Sequence, residues 1–181
     1  MKNLLAMLFA IVAITMTTTK VNAQDVADAD EWKVYFGAGI TAATNNTDRE
    51  DYYKSTLLNA EFTYEKIQGA SFGIRGIFAP PGEKELEIEG INAAGVLKLG
   101  YNSLLSDGDD LKINLGIAGY GGYGEVISRS IVSHDVLYGG EVSLNLYFKG
   151  IKLTGGYELL SGENVTYWGP KVGISIRFGG N

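Results

Sequence analysis

Asp135-Val136-Leu137-Tyr138-Gly139-Gly140-Glu141-Val142-Ser143-Leu144-Asn145-Leu146-Tyr147-Phe148 changes character at almost every step. Val136, Tyr138, Gly140, Val142, Leu144, Leu146 and Phe148 share one parity, while Glu141, Ser143, Asn145 and Tyr147 take the other. Successive side chains on a β-strand point to opposite sides, so this stretch reads as a strand with one apolar and one polar face. Near the C-terminus, Trp168, Pro170, Val172, Ile174, Ile176 and Phe178 likewise oppose Lys171, Gly173, Ser175 and Arg177.

Working outward, the same period of two marks eight segments: Trp32–Ala43, Thr56–Lys66, Ala70–Ala79, Ile88–Tyr101, Asp110–Tyr123, Asp135–Phe148, Gly150–Leu160 and Val165–Phe178. Their connections alternate in length. Gln68-Gly69 and Lys149-Gly150 read as tight turns and Ser103 to Asp109 as a modest one; Thr44–Ser55, Pro80–Glu87, Gly124–His134 and Ser161–Asn164 read as loops, most of them longer. Short turns on one rim and long loops on the other are the arrangement of outer-membrane barrels, with the turns periplasmic. The predicted fold is all-β: an eight-stranded antiparallel up-and-down transmembrane barrel over residues 32–178, followed by a C-terminal tail at 179–181.

Alternation alone does not say which face is outside, because a soluble lipocalin-like carrier turns the apolar face inward around a ligand. The positions of the aromatic residues discriminate. On the apolar parity, Trp32, Tyr64, Phe72, Tyr101, Phe148 and Phe178 fall at one end of the strands, and Phe78, Tyr123, Tyr138, Tyr157 and Trp168 at the other. Two aromatic girdles around an aliphatic band suit the two headgroup levels of a bilayer. Tyr138 to Phe148 and Trp168 to Phe178 each span ten residues, roughly 25 Å of height for a tilted strand. The polar parity then lines the lumen with Lys33, Glu61, Glu65, Arg75, Lys98, Lys112, Glu141, Lys152, Glu158, Lys171 and Arg177. Eight strands enclose an interior that side chains fill, so these charges are expected to form a salt-bridged plug rather than an open pore.

The chain start fits export. Met1-Lys2-Asn3 precedes an apolar run from Leu4 to Met16, and Val21-Asn22-Ala23 offers small residues to a signal peptidase. Residues 1–23 are expected to be a cleaved signal peptide, since the run is shorter than the roughly 20 residues of a spanning helix. Residues 24–31 would form a flexible acidic lead-in. Removing 1–23 from a chain of 181 residues with 15 Lys/Arg and 21 Asp/Glu takes two lysines and no acid, leaving 158 residues with net charge −8. Such a balance excludes a phosphate-binding basic stripe, and with it nucleic acid as a partner. The chain has no cysteine, so neither a lipoprotein anchor nor disulfides are available; a filled core or a closed ladder must hold it.

Lys171-Val172-Gly173-Ile174-Ser175-Ile176-Arg177-Phe178 resembles the β-signal read by the outer-membrane assembly machinery, with Lys171, Gly173, Ile176 and Phe178 at its marked positions. Gly179-Gly180-Asn181 follow the aromatic where many such proteins end on it. More broadly, residues 32–178 resemble the small eight-stranded outer-membrane proteins of the OmpX- and Ail-like group and the barrel families of Bacteroides-type bacteria. A narrower likeness, to TraO-like barrels of conjugative transposons, covers Gly95–Gly124 with Leu105-Ser106-Asp107 and Asp135-Val136-Leu137-Tyr138-Gly139-Gly140; the Arg/Leu-Pro motif of that family is missing near the mature N-terminus. These resemblances imply a non-enzymatic barrel that binds through surface loops, in the manner of an adhesin. Its partners would be membrane lipid and lipopolysaccharide, the assembly machinery, and an extracellular or transfer-apparatus protein, and the barrel would be a monomer.

Catalytic and cofactor chemistry finds little support. A lipid-modifying enzyme of the deacylase kind would use the single histidine, His134, with a serine and a glutamate. Ser133 points to the opposite face from His134 on a strand, and Glu141 has the luminal parity, so His134 reads as a loop-edge residue. Ser128, Ser130 and Ser133 read as ordinary loop residues. Asp107-Gly108-Asp109-Asp110 lacks the remaining ligands of a calcium loop and reads as a turn. The glycines at 37 and 39 and at 119–124 lack a following helix and do not cradle phosphate. The acidic stretches at Asp48, Glu50 and Asp51, and at Glu83, Glu85 and Glu87, read as solvated loops, and the sequons at Asn45 and Asn164 carry no weight in a bacterial chain. No cofactor and no metal site are expected.

Overall fold

The computed structural model describes residues 31–47, 52–79, 90–128, 131–163 and 165–178. The expected signal segment 1–23, nearly all of the lead-in, the acidic stretches 48–51 and 83–87, Ser130, Asn164 and the tail 179–181 lie outside the described residues.

Eight strands follow one another: β1 Trp32–Thr47, β2 Tyr52–Lys66, β3 Gly69–Phe78, β4 Gly90–Asp107, β5 Leu111–Ser128, β6 Ile131–Phe148, β7 Ile151–Ser161 and β8 Val165–Phe178. Each pairs antiparallel with its sequence neighbours, and β8 pairs back onto β1, closing the barrel. Closure satisfies the ladder all round, which is the condition for a sheet to cross hydrocarbon. Among the described residues no helix is long and apolar enough to cross a membrane.

Local chemistry sets the tight turns. Lys149 and Gly150 have φ of 45° and 84° between the paired Phe148 and Ile151. Positive φ at both central residues is the type I′ hairpin, whose twist matches that of its strands. Gly69, at φ 127°, closes the Ile67-Gln68 connection.

The predicted loops at Thr44–Ser55 and Gly124–His134 are largely strand. The β1–β2 ladder runs on to Asn46↔Tyr52, and β5–β6 to Ser128↔Ile131. The predicted turn Ser103–Asp109 likewise shrinks, because β4 reaches Asp107. Polar composition misled the reading at these points. Beyond the hydrocarbon both faces of a hairpin tolerate polar residues, so alternation fades while the backbone pairing continues.

The apolar parity faces outward. Leu97, Leu99, Leu144, Val172, Ile174 and Ile176 are exposed, as are the aromatics Phe36, Phe62, Phe72, Phe148 and Phe178. A lipocalin-like cavity is thereby ruled out. Inside, the filling is layered rather than uniformly polar. At the loop end, Leu57, Ile77, Ile91, Val126, Leu137, Leu160 and Tyr167 form a cluster in which each is at most 1% exposed. At the turn end, Tyr35, Ile67, Leu104 and Tyr147 make a smaller one. Ionic groups lie between. Ile91 and Asp107 take the inward side, against the parity of Ala94 to Leu104, because bulges between Ile91 and Ala93 and between Leu104 and Ser106 shift the register of β4 against β5 and bring Asp107 opposite Lys112.

Candidate functional site

Arg75 anchors the centre of the lumen. Its guanidinium, on β3, donates from Nη1 to Glu158 Oε2 at 2.5 Å and from Nη2 to Glu158 Oε1 at 2.9 Å, a two-pronged pair with β7. The remaining donors reach Asn59 Oδ1 (3.1 and 2.5 Å) and Tyr120 Oη (2.9 Å). Glu158 also accepts from Thr41 Oγ1 at 2.6 Å. Tyr120 in turn donates to Glu141. Glu141 holds Lys98 at 2.6 Å and Lys171 at 2.7 Å, and both lysines also meet Glu61, at 2.8 and 3.2 Å. The network thus ties β1, β2, β3, β4, β5, β6, β7 and β8 across the lumen, a set of contacts no single hairpin makes.

A second group lies toward the turn end. Lys152 Nζ is 2.8 Å from Glu65 Oε1 and sits over the Tyr35 ring. Tyr147 Oη donates to Glu65 and accepts from Asn114 Nδ2, while Asn145 donates to Asn114 Oδ1. Asn102 and Asn114 cap the backbone carbonyls of Lys66 and Ile67, so the β2–β3 turn folds into the barrel mouth as a floor.

The luminal charges expected from sequence therefore occupy different stations. Arg75, Lys98, Lys152 and Lys171 face Glu61, Glu65, Glu141 and Glu158 in equal number, which removes the net charge from the interior. Lys112 is outside this group; it pairs with Asp107 of the β4–β5 hairpin at 2.6 Å. Lys33 is buried at the turn end, and Arg177 lies near the last turn, where its backbone N–H bonds Gly150 O at 2.7 Å. Tyr120, Tyr147, Tyr167, Thr41, Asn59 and Asn114, which complete the bonding, were not among the expected residues. Their parity places them inside, but neutral polar groups give no signal of partnership in the sequence.

A cavity of about 20 Å³ remains beside Gly37, Gly39, Asn59, Lys98, Lys171 and Gly173, room for about one water. With apolar clusters beyond the charges at both ends, the lumen is a plug.

On the outer wall, Trp32 stacks on Tyr64 at 4.5 Å and Phe72 at 5.6 Å, with Lys66 over the indole. Phe178 meets Phe36 edge-on, and Lys149 covers Phe148. Tyr101 is exposed at the same end, and Phe78, Tyr123, Tyr138 and Tyr157 are exposed toward the loops, with Trp168 half-buried. Of the residues expected to form an assembly signal, Lys171 and Gly173 face the lumen while Ile176 and Phe178 are exposed on β8, the strand that closes against β1.

His134 departs from its predicted loop edge. It sits within the β5–β6 ladder opposite Glu125, faces outward, and stacks on Tyr123 at 5.8 Å. Its Nε2 is 4.0 Å from Glu125 Oε2, which sequence spacing did not suggest. Ser133 points the other way, toward Val126 O, and Glu141 is buried in the lumen. No Ser-His-Glu relay forms from these residues. Asp107-Gly108-Asp109-Asp110 is a turn closed by Gly108 N–H to Leu111 O at 3.1 Å. Among the described residues no group of three or more His, Cys, Asp or Glu side chains is placed to hold a metal ion.

No protein-family model matches the chain, and no curated protein matches its sequence. Solved structures do. The crystal structure of Neisserial surface protein A aligns over 82% of this chain and 100% of its own, with a TM-score of 0.56 and 12% identity. Ail, the attachment invasion locus protein of Yersinia pestis, aligns over 82% and 99%, with a TM-score of 0.46 and 15% identity. The N-terminal β-barrel domain of Pseudomonas aeruginosa OprF aligns over 78% and 97%, with a TM-score of 0.45 and 9% identity. At such identities the likeness concerns the fold alone, and the fold is that of the small eight-stranded outer-membrane barrels.

Proposed function

We propose that this chain spans the bacterial outer membrane as a non-conducting, non-enzymatic barrel that presents its loop-end hairpins to a partner outside the cell. The observation that carries the reading is the inversion of an ordinary globular protein: exposed aliphatic side chains around the wall, and the side chains of Arg75 and Glu158 at most 1% exposed in the centre. Such a wall is stable only against hydrocarbon. A plugged lumen leaves transport without a path, so the work falls to the surfaces at the rims. Outer-membrane lipid and lipopolysaccharide surround the wall, the assembly machinery reads β8, the partner is an extracellular protein, and the barrel acts as a monomer.

Fractionation of cells producing the full chain is expected to recover it in the outer membrane, with gel mobility that changes on boiling. Purified protein in planar bilayers is expected to show no unit conductance. Recovery as a soluble periplasmic protein would overturn the placement, and steady ohmic channels would overturn the plug.

A further inference from the structure

Between the two aromatic girdles every ladder runs unbroken except at the seam where the barrel closes. β1 and β8 pair from Val34↔Phe178 to Thr41↔Lys171 and again from Thr44↔Trp168 to Thr47↔Val165; Ala42 and Ala43 do not pair with Pro170 and Gly169 between. The other irregularities, the two bulges of the β4–β5 ladder, lie beyond the girdles at either end. Proline has no N–H, and Pro170 is the only proline among the described residues. Antiparallel partners alternate between pairs that exchange both backbone bonds and pairs that exchange none. One missing bond, from residue 170 to Ala42 O, therefore accounts for both lost pairs. Ala42 O is left without its donor from β8 two positions below the level of Trp168, at a depth where lipid supplies none.

We propose that Gly169-Pro170 is a hinge, and that above it the loop end of β8 leans away from β1 as a lateral gate in the barrel wall. Below the hinge the seam is fastened from inside. Lys171 is held by Glu141 at 2.7 Å and Glu61 at 3.2 Å, and Thr41 Oγ1 reaches across to Glu158 at 2.6 Å. Above it, β8 stays joined to β7 as one unit. Their ladder continues to Ser161↔Thr166, whose hydroxyls are 3.1 Å apart, and Gly162 N–H closes the turn onto Val165 O at 2.7 Å. The missing rung cuts the short upper stretch of the seam off from the long lower one, so the upper stretch opens without the lower. Gly169 adds no side chain at the bend; a Cβ there would overlap Ala42 O. Parting at this point turns Ala43, Val165 and Tyr167, at most 3% exposed in the closed wall, toward the outer leaflet. The edge of the loop-end apolar cluster thus meets lipid from the side, while the ionic plug beneath stays shut.

Amide hydrogen exchange on the full chain folded in nanodiscs tests the gate. Thr44 and Trp168 form the first bonded pair above the gap. Their amides are expected to exchange at least about tenfold faster than the bonded amides at the same height in the β6–β7 ladder, around Gly140↔Leu159. Pro170→Ala returns an N–H to the seam, and is expected to slow Thr44 and Trp168 about tenfold. It should leave the Gly140↔Leu159 level and the heat-modifiable mobility unchanged. Pro170→Val restores the same donor on a strand-favouring residue and gives the same test if Pro170→Ala folds poorly. Equal exchange at the two seams of the wild-type barrel would overturn the proposal. So would Thr44 and Trp168 staying as fast in the variants, which is ordinary fraying of strand ends, or a slowing shared by every ladder, which is a global gain in stability. A barrel that inserts without conducting but gives any of these results loses only its gate.

Discussion

Removing Glu158 tests whether the central pair is a stabilising element or merely a neutral filling. Glu158→Ala leaves Arg75, with its side chain fully buried, holding only Asn59 and Tyr120. The nearest remaining carboxylate is Glu141, 4.0 Å away, which already serves Lys98 and Lys171. Thr41 Oγ1 also loses its acceptor. Breaking a buried pair by one partner costs about 3–5 kcal/mol, because the orphaned charge remains desolvated. Replacing both by apolar side chains of similar volume, Arg75→Met with Glu158→Leu, removes the charge together with its partner and is expected to cost about 1–2 kcal/mol, from the bonds lost at Thr41 and Asn59. With Arg75→Met and Glu158→Leu as the single variants, each expected to cost about 3–5 kcal/mol because its partner is left buried and unpaired, the double-mutant cycle should show a favourable coupling of at least about 4 kcal/mol. Urea unfolding in lipid vesicles reads it through the chain's two tryptophans, Trp32 and Trp168, which lie toward opposite rims of the barrel. Additive losses within about 0.5 kcal/mol would refute the argument.

Other consequences are as concrete. A Cβ at Gly122 would overlap Gly95 O and crowd Val96, whereas one at Gly155 meets nothing within 4 Å; Gly122→Val should cost about 3 kcal/mol or prevent folding, while Gly155→Ala stays within about 0.5 kcal/mol in the same unfolding assay. Leu137→Ala should cost about 2–5 kcal/mol, since the side chain is fully buried in the loop-end cluster. Leu144→Lys, midway between Tyr138 and Phe148, should cost about 2–4 kcal/mol in vesicles but far less in detergent, where the headgroup can reach water. Phe178→Ala should lower the amount of folded barrel reaching the outer membrane in cells while purified protein refolds at the wild-type yield; equal defects in both would make Phe178 a packing residue, not part of an assembly signal.

The period of two in Asp135–Phe148 and Val165–Phe178 was enough to name strands, count them and say which side chains share a face. Alternation survives in the sequence because each membrane-level residue meets either hydrocarbon or lumen, with no third environment between. Strand ends were another matter. Beyond the band that contrast disappears, so the hairpins reaching Thr47 and Ser128 looked like loops, and His134 with them. Nor could parity tell a charged lumen from a layered one. Leu57, Ile77, Leu137 and Leu160 carry the inward parity yet are apolar, and only assembly of all eight strands brings them into one dry cap. The partnership of Arg75 with Glu158, separated by 83 positions in the chain, is likewise decided by closure and stagger. Sequence specified the two faces because solvent acts on each residue singly; the tertiary structure chose the partners, because distance across a closed lumen is not encoded at any one position.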